Sequence, residues 1–274
     1  MRALRILAIF LCVVSFAFAF WANQRYYSSL NTDYPEITSS EETLHISVND
    51  PPEALFSGLT ATDATDGDLT DHIMIASVSH FLEPDTVSVK YVVFDAHSNS
   101  ATLTRRVHYT DYTPPVFILD KAPVYTLGSS FDLLKHIRVE DCIDGEIGDQ
   151  IRVISNMVNN FSVGNYPVVL EVSNSCGDTT QITIWVNYLD KASTAVVKLH
   201  QYIVYVEQGD TFDPQRWLAS VTDRDAIHLD PANMEIQGNV DLNTPGCYQL
   251  VYNYNDGKLS GQAPLTVVVT ERQG

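Results

Sequence analysis

Basic residues are scarce in this chain. Lys and Arg number 16 against 34 Asp and Glu, the formal net charge is −18, and the bases form no cluster. A polyanion would meet a repelling surface, which excludes nucleic acid as a partner. Catalytic signatures are missing as well: there is no H-E-x-x-H, C-x-x-C, G-x-S-x-G or phosphate-binding glycine loop, and no two of the 8 histidines stand four residues apart. Carboxylates are plentiful, but they fall in repeated turns instead of one cleft, which glycoside hydrolysis would require. The expectation is therefore a chain with no catalytic residues and no enzymatic activity. After residue 25 no stretch sustains an apolar stripe at helical spacing, so long helices are not expected there.

Charge is also absent from residues 6–24, between Arg5 and Arg25. The run "ILAIFLCVVSFAFAFWA" over 6–22 reads as a transmembrane anchor or signal segment, with residues 1–5 on the cytoplasmic side and the rest exported. Ala17-Phe18-Ala19 offers a cleavage site. Because the apolar run continues through Phe20 and Trp21 with no polar region after it, an uncleaved anchor is preferred, with a secreted chain as the alternative. Cys12 lies inside this segment. Cys142, Cys176 and Cys247 lie in the exported part, where disulfides persist.

What the chain does have is repetition. "PDTVSVKYVVFDAHSN" from Pro84, "VGNYPVVLEVSNSCGD" from Val163 and "PGCYQLVYNYNDGKLS" from Pro245 align without gaps, at offsets of 79 and 82 residues. "GSSFD" at Gly128 and "GDTFD" at Gly209 are 81 apart, and Asp63, Asp141 and Asp223 are spaced by 78 and 82. In "TVSVKYVVF" Val87, Val89, Tyr91 and Val93 point one way, as in a half-buried strand. Short alternating strands between Gly, Pro, Asn and Asp turns predict an all-β chain of three tandem Ig-like β-sandwich domains. The expected boundaries are a polar stalk over 23–43 and domains over 44–112, 113–190 and 191–274. Pro114 and Pro115 make the first joint stiff.

The repeated element is acidic. "TDATDGDLTDHI" at 62–73 is answered by "EDCIDGEIGDQI" from Glu140. Asp side chains accept hydrogen bonds from backbone N–H groups two residues on, and glycine adopts positive φ, so Asp-x-x-Asp-Gly closes a tight turn. Leu69 or Ile147 then tucks into the core. Calcium is the competing explanation, since it needs six to eight oxygens. In the first repeat Asp63, Asp66, Asp68 and Asp95 would be its ligands. In the second only Asp141, Asp144 and Glu146 remain, and the third set is broken. A plain turn without a cofactor is preferred, with calcium as the alternative.

These motifs resemble the bacterial Ig-like domains of the Cry22Aa-like type, domain of unknown function 5011, whose units carry D-x-x-D-G-D-L-T and later a strand ending in D-x-x-G-N. Asp63, Asp66, Gly67, Asp68, Leu69 and Thr70 match the first stretch, and Asp95 and Asn99 the second, with Ser98 in place of the glycine. In the second repeat Glu146 and Ile147 stand for Asp-Leu, and Asn174 replaces the strand-end Asp. The resemblance implies extracellular spacer or adhesion modules of bacterial surface proteins and names no ligand. If the strand-end loop and the acidic turn lie side by side, Cys142 and Cys176 are expected to form a disulfide. Two buried free thiols are the alternative. Cys247 is expected to pack as a small apolar residue.

The function expected is a cell-surface adhesion or spacer protein with an unidentified protein or glycan ligand, held to the membrane through residues 6–22. A glycan-binding protein using tyrosines and Trp185 or Trp217 as stacking platforms is one alternative, and an accessory subunit of an exported complex is another. Against the platforms, Tyr248, Tyr252 and Tyr254 share strand parity and should face a core.

Overall fold

The computed structural model describes residues 14–25 and 33–272. Residues 14–25 are helical, with Phe16, Phe18, Phe20 and Trp21 exposed. Among the described residues no helix is long and apolar enough to cross a membrane. Residues 6–13 of the expected span lie outside the described residues. The rest of the described chain is strands, turns and short 3-10 segments, as an all-β reading requires. It divides into two compact units, 1–110 and 111–274.

In the first unit, one sheet runs in the order Glu36–Ser39, Leu59–Asp63, Gly67–Asp68. The other runs Thr43–Ile46, Ser100–Tyr109, Thr86–Phe94, Met74–Val78. The strand Glu36–Ser39 falls inside the segment 23–43 that the sequence suggested as a stalk. Ile37, buried opposite Ala61, ties it into the sheet. The alternation of "TVSVKYVVF" holds: Val87, Val89, Tyr91 and Val93 are fully buried, while Lys90 is exposed. Each such side chain contributes roughly 1.5–3 kcal/mol by leaving water. All pairings are antiparallel except one, in which Thr43–Ile46 runs parallel to the final strand, Thr43 facing Arg106.

Arg105 departs from the apolar pattern. Parity places it inward beside Val107, and it is 2% exposed. Its Nη1 donates to the Ser57 carbonyl at 2.6 Å and its Nη2 to that of Leu55 at 2.6 Å, so the charge terminates the 3-10 turn Pro52–Phe56 from beneath.

The second unit contains four sheets. Over 111–190, the order Gly145–Glu146, Ile137–Asp141, Val116–Leu119 faces the order Arg152–Asn156, Gly164–Ser173, Thr179–Leu189, Val124–Thr126. Phe117, Val139, Leu170 and Ile184 from the two sheets share one core. Over 191–272, Ala195–Leu199 pairs with Leu218–Asp223. The facing sheet runs Ile203–Glu207, Ser260–Thr270, Gly246–Asn255, Met234–Gly238. Tyr252 and Tyr254 are buried in that core and Tyr248 packs against it, as their shared parity requires. Val124–Thr126 and Ile203–Glu207 each run parallel to the last strand of their own sheet. The two cores of this unit touch: Ile203 belongs to the first of them, and Phe117 N–H donates to Tyr205 Oη at 2.8 Å.

Candidate functional site

The acidic motif of the first unit folds as a turn between Leu59–Asp63 and Gly67–Asp68. Asp63 Oδ1 accepts the N–H of Thr65 at 2.8 Å and of Asp66 at 2.9 Å, and Gly67 sits at φ +82°. Leu69 is buried behind the turn. Both sequence expectations about the turn hold, because a short carboxylate and a left-handed glycine are what a reversal of this tightness needs.

A second loop, 95–99, closes over it. Asp95 Oδ1 accepts the N–H of His97 at 2.8 Å and of Asn99 at 2.7 Å, and Asp95 Oδ2 accepts Asn99 Nδ2 at 2.7 Å. The bridge between the loops is Asp66, whose Oδ2 accepts Ala96 N–H at 2.8 Å. One oxygen each of Asp66 and Asp95 and a ring nitrogen of His97 all lie within 4.8 Å of one another. Asp68 faces elsewhere: its Oδ1 accepts Thr70 N–H at 3.0 Å, and its bonds to Thr70 hold its carboxyl below the usual value. Burial pushes Asp95 upward, but the bonds from Asn99 and His97 outweigh it and keep that carboxyl low.

The second unit repeats the arrangement with different chemistry. Asp141 Oδ1 accepts Ile143 and Asp144 N–H at 2.9 and 2.8 Å, and Gly145 sits at φ +73°. Asp144 Oδ2 accepts Ser175 N–H at 2.6 Å, the counterpart of Asp66 with Ala96, and its Oδ1 accepts the Ser175 hydroxyl at 2.7 Å. Asn174 takes the place of Asp95: its Oδ1 accepts Asp178 N–H at 3.0 Å, and its Nδ2 donates to Asp141 Oδ2 at 3.1 Å and to Tyr112 Oη at 2.9 Å. Tyr112 in turn donates to Asp178 Oδ2 at 2.7 Å. Burial, then that bond, push its phenol well above the usual range. Glu146 bonds locally, its Oε1 accepting Gly148 N–H at 2.9 Å and Val139 N–H at 3.4 Å. In the third acidic turn Asp223 Oδ1 accepts Asp225 and Ile227 N–H at 2.9 and 2.8 Å, and the left-handed residue is Ala226 at φ +64°, one position earlier than the glycine of the other two turns.

The expected disulfide is corrected. Cys142 and Cys176 are both free. Cys142 Sγ instead donates to the Thr113 carbonyl at 3.1 Å. Hydrogen bonds from Ser175 and Asn174 hold the two loops together instead. Cys176 is buried and its thiol is pushed up, by burial first. Cys247 is half-buried against the core of the preceding sheets, where its sulfur accepts Thr183 N–H at 3.4 Å.

Three residues of these loops were not singled out by sequence. His97 was one histidine among 8, and the adjacency D-A-H was the available signal. Tyr112 and Asp178 enter only through the fold, 66 residues apart. The aromatic candidates are placed differently from a stacking platform: Tyr202 and Tyr205 are half-buried between the two cores of the second unit. Burial pushes the Tyr205 phenol up to about 12. Beside them Phe212 and Trp217 stack at 6.4 Å along a groove of about 590 Å³ that also meets His200 and Arg216.

Residues 201–269 match the family model described as bacterial surface protein, Ig-like domain. The chain thus carries an Ig-like domain of the bacterial surface type, which agrees with the resemblance read from its motifs. The pesticidal crystal protein Cry22Aa of Bacillus thuringiensis is 26% identical over 224 residues, 76% of this chain. The chain spans 30% of that relative's length. Two solved structures overlap most of the chain at 12% identity. The M60 catalytic domain with the CBM51-1 and CBM51-2 domains of Clostridium perfringens ZmpB covers 89% of this chain and 31% of its own, with TM-score 0.25. Drosophila N-cadherin EC1-3 covers 89% and 91%, with TM-score 0.29. Overlaps of that TM-score bear on neither fold nor ligand.

Proposed function

We propose that this chain is a non-enzymatic surface protein that presents three tandem Ig-like sandwiches outside a bacterial membrane, as a spacer or adhesion module anchored through residues 6–22. The observation that carries it is one strand plan used three times. A two- or three-stranded sheet faces a four-stranded one, and a strand parallel to the last strand closes each larger sheet. Even the irregularities recur: a bulge falls between Ile75 and Ser77 and again between Val153 and Ser155, 78 residues later. The match of residues 201–269 to a bacterial surface Ig-like domain supports the location. Acidic residues in these segments serve turns and loop clasps, which supports a structural role over a catalytic one.

The test is surface labelling of intact cells with a membrane-impermeant amine reagent, followed by glycan-array screening of the purified chain. The spacer reading expects labelling and no retained glycan. Glycan retention that is lost in Trp217→Ala would replace it with carbohydrate recognition at the Phe212–Trp217 groove. Labelling only after lysis would remove the surface assignment, and co-purification with other exported proteins would favour an accessory subunit.

A further inference from the structure

The two clasps differ at one buried oxygen. Asp63 is 6% exposed, its Oδ1 is taken by two N–H groups, and its Oδ2 is buried without a hydrogen-bond partner. In the second unit the same oxygen, Asp141 Oδ2, receives Asn174 Nδ2 at 3.1 Å. The backbone bonds around it correspond. Asp95 N–H donates to the Asn99 carbonyl, and Asn174 N–H to that of Asp178, both at 3.0 Å. Asp66 receives Ala96 as Asp144 receives Ser175. By this correspondence, an acceptor-only carboxylate at Asp95 stands where the amide that satisfies Asp141 stands. A buried carboxylate oxygen facing a second carboxylate is unfavourable unless something positive lies between them.

We propose that the first unit binds a divalent cation, calcium, through Asp63, Asp66 and Asp95, and that the second unit has replaced that ion with the amide of Asn174. The Asp66 and Asp95 carboxylates meet the His97 ring within 4.8 Å, the correspondence with Asp141 and Asn174 directs the buried Asp63 Oδ2 toward Asp95, and among the described residues none of the three carboxylates forms an ion pair with Lys or Arg. Oxygen donors of this kind suit a hard cation, and the open side of the cluster, where Asp66 and His97 are exposed, leaves room for the waters that complete six to eight ligands. The His97 imidazole lies at the rim and lowers selectivity against zinc or manganese. Asp68, bonded to Thr70, is not part of the set. The inference is independent of the surface role, since it concerns only how one pair of loops is held.

The experiment uses the full purified chain, stripped with chelator, titrated with calcium by calorimetry and melted with and without the ion. Wild type is expected to bind one calcium, and the first unit's midpoint to rise by about 10 °C at an ion concentration a hundredfold above Kd. Asp95→Asn should lose the calcium shift and melt close to wild type in chelator, because the new amide can reach Asp63 Oδ2 while giving up the bond from Asn99 Nδ2. Asp66→Asn, which keeps an acceptor for Ala96, should weaken binding at least about tenfold. Absence of heat and of a midpoint shift in wild type would overturn the proposal. So would a shift that persists in Asp95→Asn, which would mark diffuse binding to an acidic surface. Binding of zinc or manganese without calcium would overturn the assignment of the ion.

Discussion

Arg105 lies with its guanidinium 5.4 Å from the centre of the Tyr91 ring, and both side chains donate to a single acceptor, the carbonyl of Leu55, each at 2.6 Å. A lone buried cation is thus held by a ring face and by the carbonyls of a 3-10 turn. The corresponding positions of the later repeats, Ile184 and Leu265, are apolar. Arg105→Ala should destabilise the first unit by about 3 kcal/mol, through the stranded carbonyl of Ser57 and the void left behind. Urea unfolding followed by Trp-independent far-UV circular dichroism would measure it. A loss below about 1 kcal/mol would mean the turn is held without the arginine.

Ser98 occupies the left-handed region at φ +69°, where the equivalent loop of the second unit has Gly177 at +79°. A side chain there costs about 1 kcal/mol. Ser98→Gly should therefore stabilise the first unit by no more than about 0.6 kcal/mol once the roughly 0.4–1 kcal/mol of added freedom in the unfolded chain is counted. Gly177→Ser should do the reverse in the second unit, and paired melting curves would show whether the signs are opposite.

Asn174 bridges Asp141 and Tyr112 inside the second clasp. Asn174→Asp removes two donated hydrogen bonds and sets a charge against Asp141, at a cost of about 3 kcal/mol at neutral pH. Asn174→Ala should cost less, because it strands acceptors without adding charge. Chemical denaturation of both variants would order them, and an equal loss would show that repulsion contributes nothing.

Acid stability follows from the turn carboxylates. Bonds from Thr70, Thr244 and Leu259 hold Asp68, Asp241 and Asp256 below the usual Asp value of 3.8. Because their folded values are depressed, the stabilisation is fully present above the unfolded value and is lost as pH falls through the lower folded values. Melting temperature should be flat above about pH 5 and decline below it. Asp256→Asn, which keeps an acceptor for Lys258 and Leu259, should make the decline shallower, as thermal scans across pH 2–6 would register as a reduced slope.

The strand faces were legible because period two is a local property. Val87 through Val93 declared their side, Tyr248, Tyr252 and Tyr254 theirs, and the acidic turn declared itself through Asp63 and Gly67. Partnership was not legible. Parity put Arg105 inward but could not supply the carbonyls that receive it, which come from about 50 residues upstream. Spacing brought Cys142 and Cys176 into neighbouring loops but does not fix where a sulfur points, and Cys142 turns to Thr113. The strand Glu36–Ser39 was hidden because "EITS" offers one apolar residue to a reader and one hydrogen-bonded neighbour to the fold. Asp63 and Asp95 were both named from sequence. Only the comparison with Asn174 shows that one oxygen between them lacks a donor.

The parallel strand that closes each larger sheet has a mechanical meaning. Thr43–Ile46, Val124–Thr126 and Ile203–Glu207 come early in their repeats, and each lies alongside the last strand, pointing the same way. Tension applied along the chain pulls two such strands in opposite directions past each other, so their ladder bonds share the load in shear instead of opening singly like a zipper. A tether built from these modules would stretch little until whole ladders rupture together, and its endurance under drag would be set by how slowly that rupture occurs.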